Sequence, residues 1–204
     1  MKKTLTLLLV ALLGLSYGQS FDDCTNYYLN GDYPKAFTCL KPIAEQGNAK
    51  AQYNLGYLYY NGQGVRQDYL KAKAWWEKAA LQGDAGAQHS LGVLYENGQG
   101  VRQDYLKAKE WYEKAATQGL AEAQLNLGVL YDNGQGVTQD YLKAKEWYEK
   151  AALQGLVKAQ YNLGVLYAKG RGVRQNYLEA KEWFGKACDN GLQKGCEVYK
   201  ILNQ

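Results

Sequence analysis

The sequence predicts an all-α protein, a right-handed α-solenoid of stacked helical hairpins, and three observations carry that expectation. The chain nearly repeats itself every 36 residues; each period holds two apolar patterns at helical spacing; and paired glycines separate the two patterns. Fixed-period self-similarity of this length is the signature of a repeat architecture, in which each unit buries its apolar face against its neighbours. Composition agrees, because 47% hydrophobic and 22% charged residues exclude an intrinsically disordered chain. The 19 Tyr and five Trp against three Phe add large rings at regular intervals.

The first segment reads differently from the rest. Lys2 and Lys3 precede an apolar run from Leu5 to Leu15, and Ser16 and Gly18 place small residues three and one before Gln19. This pattern predicts a secretory signal peptide over 1–18, too short to span a bilayer, which needs roughly 20 apolar residues. Export to the periplasm or beyond is the expected localisation, with no membrane span. Removing those residues takes two lysines and no acids, leaving 22 basic against 20 acidic residues, so the mature chain carries about +2. Nucleic acid is not an expected partner, since it calls for a concentrated basic face.

Residues 19–47 form an altered first unit, in which Tyr33, Lys35, Ala36 and Gly47 match the second half of the repeat. Four full repeats follow over 48–191. Tyr69, Tyr105, Tyr141 and Tyr177 fall in register, as do Trp75, Trp111, Trp147 and Trp183, and Gly56, Gly92, Gly128 and Gly164. Residues 84–119 and 120–155 differ at seven of 36 positions. A truncated unit, 192–204, closes the chain as a capping helix.

Within one unit, Ala87, Leu91, Leu94 and Tyr95 define a first helix. Asn97-Gly98-Gln99-Gly100 breaks it, because glycines supply the positive-φ conformations of a tight connection. Asp104 is placed to cap a second helix whose apolar stripe is Tyr105, Ala108, Trp111, Tyr112, Ala115 and Ala116. Glu110 stands four residues before Lys114, a pair worth about 0.2–0.5 kcal/mol. Gln118-Gly119 ends the helix. Gly92, inside the first helix, costs roughly 1 kcal/mol relative to Ala, which implies close approach of a neighbouring helix. The tryptophan ladder is expected to pack in the core beside the paired alanines.

These residues carry a resemblance. The string Ala-x-Ala-Gln-x-x-Leu-Gly-x-Leu-Tyr, followed by Gly-x-Gly-Val-x-x-Asp-Tyr-x-Lys-Ala-x-x-Trp-Tyr-x-Lys-Ala-Ala-x-Gln-Gly, resembles the Sel1-like repeat, a relative of the tetratricopeptide repeat. The resemblance implies an adaptor-like scaffold that binds a protein or peptide.

Cys24, Cys39, Cys188 and Cys196 all lie after the leader, and an even number in an exported chain suggests disulfides. Of the three connectivities open to four cysteines, Cys24–Cys39 and Cys188–Cys196 join consecutive helices of the terminal units. Cys188 replaces the Ala of Ala80, Ala116 and Ala152, a buried packing position in that register. A bridge of this spacing is also similar to the Helicobacter cysteine-rich proteins, some described as penicillin-binding or β-lactamases. The sequence departs from them because its middle repeats have no cysteines. That resemblance implies a secreted penicillin-recognising protein as the alternative function, and a cell-envelope or peptidoglycan-associated assembly factor is a third.

Chemistry is sparse. A serine β-lactamase site needs Ser-x-x-Lys with Ser-Asp-Asn and Lys-Thr-Gly elements. Only Ser20 and Ser90 follow the leader, and neither has Lys three residues on. His89 is the one histidine, so no metal site is expected. Loops such as Gly62-Gln63-Gly64 lack the Gly-Lys-Ser/Thr of a phosphate cradle. Neither cofactor nor catalytic residue is expected.

In the tetratricopeptide architecture the first helix lines a concave groove, where side chains vary while packing positions stay fixed. Among the repeats, Tyr53, His89, Leu125 and Tyr161 vary, with Asn54, Ser90, Asn126 and Asn162 beside them. Lys50, Gly86, Glu122 and Lys158 vary too, as do Tyr60, Glu96, Asp132 and Ala168. The candidate binding residues are therefore Lys50, Tyr53, Asn54, Tyr60, His89, Ser90, Glu96, Leu125, Asn126, Tyr161 and Asn162. The amides of Asn54, Asn126 and Asn162 can donate and accept at once, which suits an extended backbone. Tyr53 and Tyr161 add rigid contact area.

Overall fold

The computed structural model describes residues 20–204, and the expected signal peptide lies outside the described residues. Eleven helices follow one another, with no strand among the described residues. They are α1 Phe21–Leu29, α2 Tyr33–Glu45, α3 Ala49–Asn61, α4 Tyr69–Leu81, α5 Ala85–Asn97 and α6 Tyr105–Thr117. The remainder are α7 Ala121–Asn133, α8 Tyr141–Leu153, α9 Val157–Lys169, α10 Tyr177–Asp189 and α11 Gln193–Ile201. They fall into two compact units, the first ending at Gln82 and the second running Gly83–Gln204. The first holds α1–α4 and the second α5–α11, each a succession of helix-turn-helix hairpins.

Caps explain why the helices begin and end where they do. Asp104 Oδ1 accepts from the Lys107 amide at 3.0 Å, and Asp140 serves α8 in the same way. Unpaired amides at a helix start cost stability, and a capping carboxylate recovers about 1 kcal/mol. Helices α7 and α9 begin after Leu120 and Leu156 without a side-chain cap. At the other end, Gly98 and Gly134 adopt φ of 68°, a left-handed conformation open to glycine, and their amides bond to Leu94 and Leu130. The turn is then stitched back. The Asp104 amide donates to the Tyr95 carbonyl at 2.9 Å, and Gln103 Nε2 donates to the Glu96 carbonyl at 2.8 Å.

The four hairpins α3–α4, α5–α6, α7–α8 and α9–α10 are each closed by an aromatic ring lying on a glycine of the first helix. A methyl group at Gly92 would overlap the Tyr112 ring, and one at Gly128 would overlap Tyr148. At Gly164 it would stand 2.8 Å from Phe184, and at Gly56 2.5 Å from Trp76. The expected close approach at these glycines is therefore present, and its partner is an aromatic face. Around it, Leu91, Leu94, Ala108, Tyr112 and Ala115 are fully buried, as are the equivalents in the next hairpin. Burying a leucine of this kind contributes about 1.5–3 kcal/mol.

The fully buried ring is thus the residue after the repeated tryptophan, which corrects the sequence expectation. Trp111, Trp147 and Trp183 are half-buried. Trp147 packs against the cluster of Ala108, Tyr112, Ala115 and Leu127, one hairpin back. Its outer face is covered by Lys150, whose Nζ sits 4.1 Å from the ring, and Lys114 covers Trp111 in the same way. Lys114 is thereby turned from the expected pairing with Glu110. The ion pairs that form four residues apart on α6 and α8 are Lys109–Glu113 at 2.7 Å and Lys145–Glu149 at 2.6 Å.

A second joint between hairpins is polar. Gln124, 5% exposed, donates from Nε2 to the Ala116 carbonyl at 3.2 Å and accepts from Gln154 Nε2 at 2.8 Å. Gln52 and Gln160 do the same work with Ala44 and Gln82, and with Ala152 and Asn190. Each amide satisfies a carbonyl near a helix end that water cannot reach. Periodicity alone does not single out these glutamines; their signal is recurrence at one buried position.

Both expected disulfides are formed. Cys24–Cys39 joins α1 to α2 with a Cα–Cα distance of 5.3 Å, and Cys188–Cys196 joins α10 to α11 at 4.5 Å. Cys188 is half-buried, whereas Ala187 beside it is fully buried, so the expected deep position belongs to its neighbour.

Two outcomes follow for stability. Gly128→Ala gains about 1 kcal/mol of helix propensity but forces the Tyr148 ring to move, for a net loss of about 1–3 kcal/mol in urea unfolding of the oxidised protein. Replacing Cys188 and Cys196 together by Ala removes about 2–3 kcal/mol of loop constraint, and hydrogen exchange reports the loss as fraying of α11 ahead of the rest.

Candidate functional site

The candidate residues occupy the first helices of the hairpins. In the first unit Lys50 is exposed at the start of α3, and Tyr53, Asn54 and Tyr60 are half-buried. The Tyr53 carbonyl accepts from Trp76 Nε1 at 3.0 Å. The Tyr60 ring lies 5.3 Å from both Tyr69 and Trp76, so much of this side chain serves packing.

In the second unit His89, Ser90 and Glu96 stand on α5, Leu125 and Asn126 on α7, and Tyr161 and Asn162 on α9. All are half-buried except Leu125. Leu125 is 9% exposed and belongs to the cluster of Tyr148, Leu163 and Leu166. It is a core residue, and its variation among repeats reflects packing.

The structure brings several of the others together. The Asn126 side-chain amide stands 3.1 Å from His89 Nε2, linking consecutive first helices. Burial holds the His89 pKa below its usual value, with the Glu122 carboxylate opposing the shift, so the ring is neutral and accepts from the amide. The His89 ring in turn lies over Tyr112, with centroids 5.6 Å apart. Tyr112 donates its hydroxyl to the Glu96 carboxylate.

The next hairpin repeats the theme with different residues. Tyr148 donates to Asp132 Oδ2 at 3.2 Å and is also hydrogen-bonded to Asn162. Burial, then the Asp132 charge, drive the Tyr148 pKa far upward, so the hydroxyl stays protonated and remains a donor. Beyond it, the Tyr161 ring lies 5.3 Å from Phe184, and Lys194 Nζ lies 5.2 Å from the Tyr161 ring.

Three contributors escaped the candidate set: Tyr112, Tyr148 and Asp132. The signal for them is a paired change 16 residues apart. Where the ring carries a hydroxyl, at Tyr112 and Tyr148, the first helix supplies Glu96 and Asp132. Where it does not, at Trp76 and Phe184, the matching positions are Tyr60 and Ala168.

Among the described residues no group of His, Cys, Asp and Glu could hold a metal ion, and no helix is long and apolar enough to cross a membrane. The face offers hydrogen-bonding amides, one neutral imidazole, aromatic edges and two carboxylates. That inventory suits non-covalent recognition of a polar chain.

Comparison with known proteins accords with this architecture. The Sel1 repeat profile matches residues 11–48, 49–84, 85–120, 121–156 and 157–192. A Sel1 repeat protein from Oxalobacter formigenes is similar in structure, with a TM-score of 0.84 and 30% identity, covering 88% of this chain and 74% of that one. A protective antigen of uropathogenic Escherichia coli strains displaying an SLR fold is 44% identical with a TM-score of 0.77. That match covers 78% of this chain, which spans only 34% of the antigen's length. Helicobacter pylori cysteine rich protein B is 26% identical, with a TM-score of 0.52, covering 65% of this chain and 95% of that one. No curated protein matches significantly. With repeat matches running through most of its length, the chain belongs to the Sel1 repeat family.

Proposed function

We propose that this protein is an exported, non-catalytic scaffold that binds a protein or peptide partner along the first-helix face of its hairpins. Sel1 repeat proteins are in general protein-interaction scaffolds, and this chain has the family's repeats. The observation that carries the reading is the set of half-buried polar side chains on that face, His89, Glu96, Asn126 and Asn162, which stand outside the apolar core. The core is already complete in alanines, leucines and the buried rings. Amides at equivalent places on successive helices can hold an extended backbone by donating and accepting in turn.

The other features support the same reading. The two disulfides suit an oxidising compartment outside the cytoplasm. Of the two serines after the leader, Ser20 caps α1, with its hydroxyl 3.2 Å from the Asp23 amide. Ser90 stands next to His89, whose Nε2 is occupied by Asn126. No nucleophile-and-base pair is assembled by these groups, which favours binding over hydrolysis.

Site-directed photo-crosslinking tests the reading. A photoreactive residue at Ser90, on the first-helix face, is expected to capture a partner, while one at Glu110 on a second helix is not. Capture is expected to vanish in the Asn126→Ala, Asn162→Ala variant, with helicity checked by circular dichroism. Adducts from Glu110 alone, or adducts indifferent to the asparagines, would sink the first-helix assignment.

A further inference from the structure

We infer that the first-helix face of α5 and α7 receives an extended peptide segment bearing lysine or arginine, with Glu96 and Asp132 taking up the cationic side chains. This inference rests on the peptide-binding reading above and gives the partner a chemistry. Its starting point is the paired change between ring and acid. Tyr112 donates to Glu96 and Tyr148 to Asp132, whereas the hairpins closed by Trp76 and Phe184 have no acid at the matching place. The carboxylate is present where a hydroxyl fixes its orientation, as a preorganised acceptor is built.

Each acid already accepts the hydroxyl of a buried tyrosine, Glu96 from Tyr112 and Asp132 from Tyr148. A carboxylate has about four acceptor positions, so one hydroxyl fixes its orientation and leaves the others for a second donor. Glu96 and Asp132 are both half-buried, and neither has an ion-pair partner among the described residues.

The charge is one-sided within α5 and α7, whereas the following first helix, α9, carries Lys158 and Lys169. Helices α5 and α7 contain no lysine or arginine, and their ionised side chains are Glu96, Glu122 and Asp132, His89 being neutral. Lysines on the neighbouring second helices are already engaged. Lys107 and Lys143 pair with Asp104 and Asp140, Lys109 and Lys145 with Glu113 and Glu149, and Lys114 and Lys150 lie on tryptophan rings. A negative strip thus stands on a chain whose formal charge is +4. Complementary charge of this kind both selects and steers a cationic partner.

Spacing adds a register. Glu96 and Asp132 hold the same position on successive hairpins, and packed helices stand about 8–10 Å apart. An extended chain advances roughly 3.3–3.6 Å per residue. Cationic side chains about three residues apart on the partner therefore reach both acids, while Asn126 and Asn162 hold its backbone.

The test is a soluble array of fluorescein-labelled short peptides on a Gly-Ser-Ala background, read by anisotropy with the oxidised protein. It varies the residue, Lys, Arg, Gln or Glu, and its spacing. Lys and Arg peptides spaced by three are expected to bind best, and exchanging both cations for Gln is expected to weaken binding at least about tenfold, roughly 1.4 kcal/mol. The Glu96→Gln, Asp132→Asn variant keeps an acceptor for each tyrosine hydroxyl and is expected to show the same loss. Glu110→Gln, Glu146→Gln, on the second helices, is expected to bind as the parent does. Equal loss in both double variants, or none in the first, overturns the assignment. Neutral or acidic peptides that bind through Asn126 and Asn162 overturn the charge assignment and leave the peptide-binding face standing. An array in which no binding depends on those asparagines overturns both.

Discussion

Within the four full hairpins the separation of the two helices is set where the ring of Trp76, Tyr112, Tyr148 or Phe184 lies across a stretch of backbone that has no Cβ, at Gly56, Gly92, Gly128 or Gly164. A glycine inside a helix is unfavourable by itself, and the cost is offset because ring and backbone can then touch over a wide area. The alanines of the second helix follow from the same closeness, since nothing larger than a methyl fits beside the seated ring. Flanking leucines fill what remains, and the caps and turns fix the helix lengths so that ring and glycine meet in register.

The same ring joins the fold to the candidate site. The body of Tyr112 or Tyr148 closes the hairpin, while the hydroxyl emerges on the first-helix side and holds Glu96 or Asp132. Both candidate carboxylates are thereby anchored to the most buried aromatic groups among the described residues, which limits their freedom. His89 is held in a comparable way, between the Tyr112 ring below it and the Asn126 amide of the following hairpin.

Much of this was legible in the sequence. The period, the hairpin, the turn glycines, the Asp104 cap and both disulfide pairings follow from spacing and residue type, because each is a local requirement on a few adjacent residues. What was not legible depends on which of two neighbouring residues points inward. Trp111 and Tyr112 are both large and both lie near the apolar stripe, so periodicity does not decide which is buried, and the structure seats Tyr112 while leaving Trp111 half-covered by Lys114. Leu125 illustrates the converse, since variation among repeats reads as exposure when it reflects a different filling of the core. The buried glutamines went unnoticed because a polar residue looks like surface until its carbonyl partner, eight residues back, is known.

The turns that end α7 and α9 reach the preceding hairpin as well. A methyl at Gly136 would stand 2.7 Å from the Tyr105 backbone, and one at Gly172 2.5 Å from that of Tyr141. Each hairpin in this stretch therefore presents to the next the same surface that it receives from the one before, so the modules are interchangeable. Residues 84–119 and 120–155 agree at 29 of 36 positions, the seven differences subtracted. Adding or removing one whole hairpin there would bring together edges that already fit, so the length of the first-helix face is adjustable in whole-module steps.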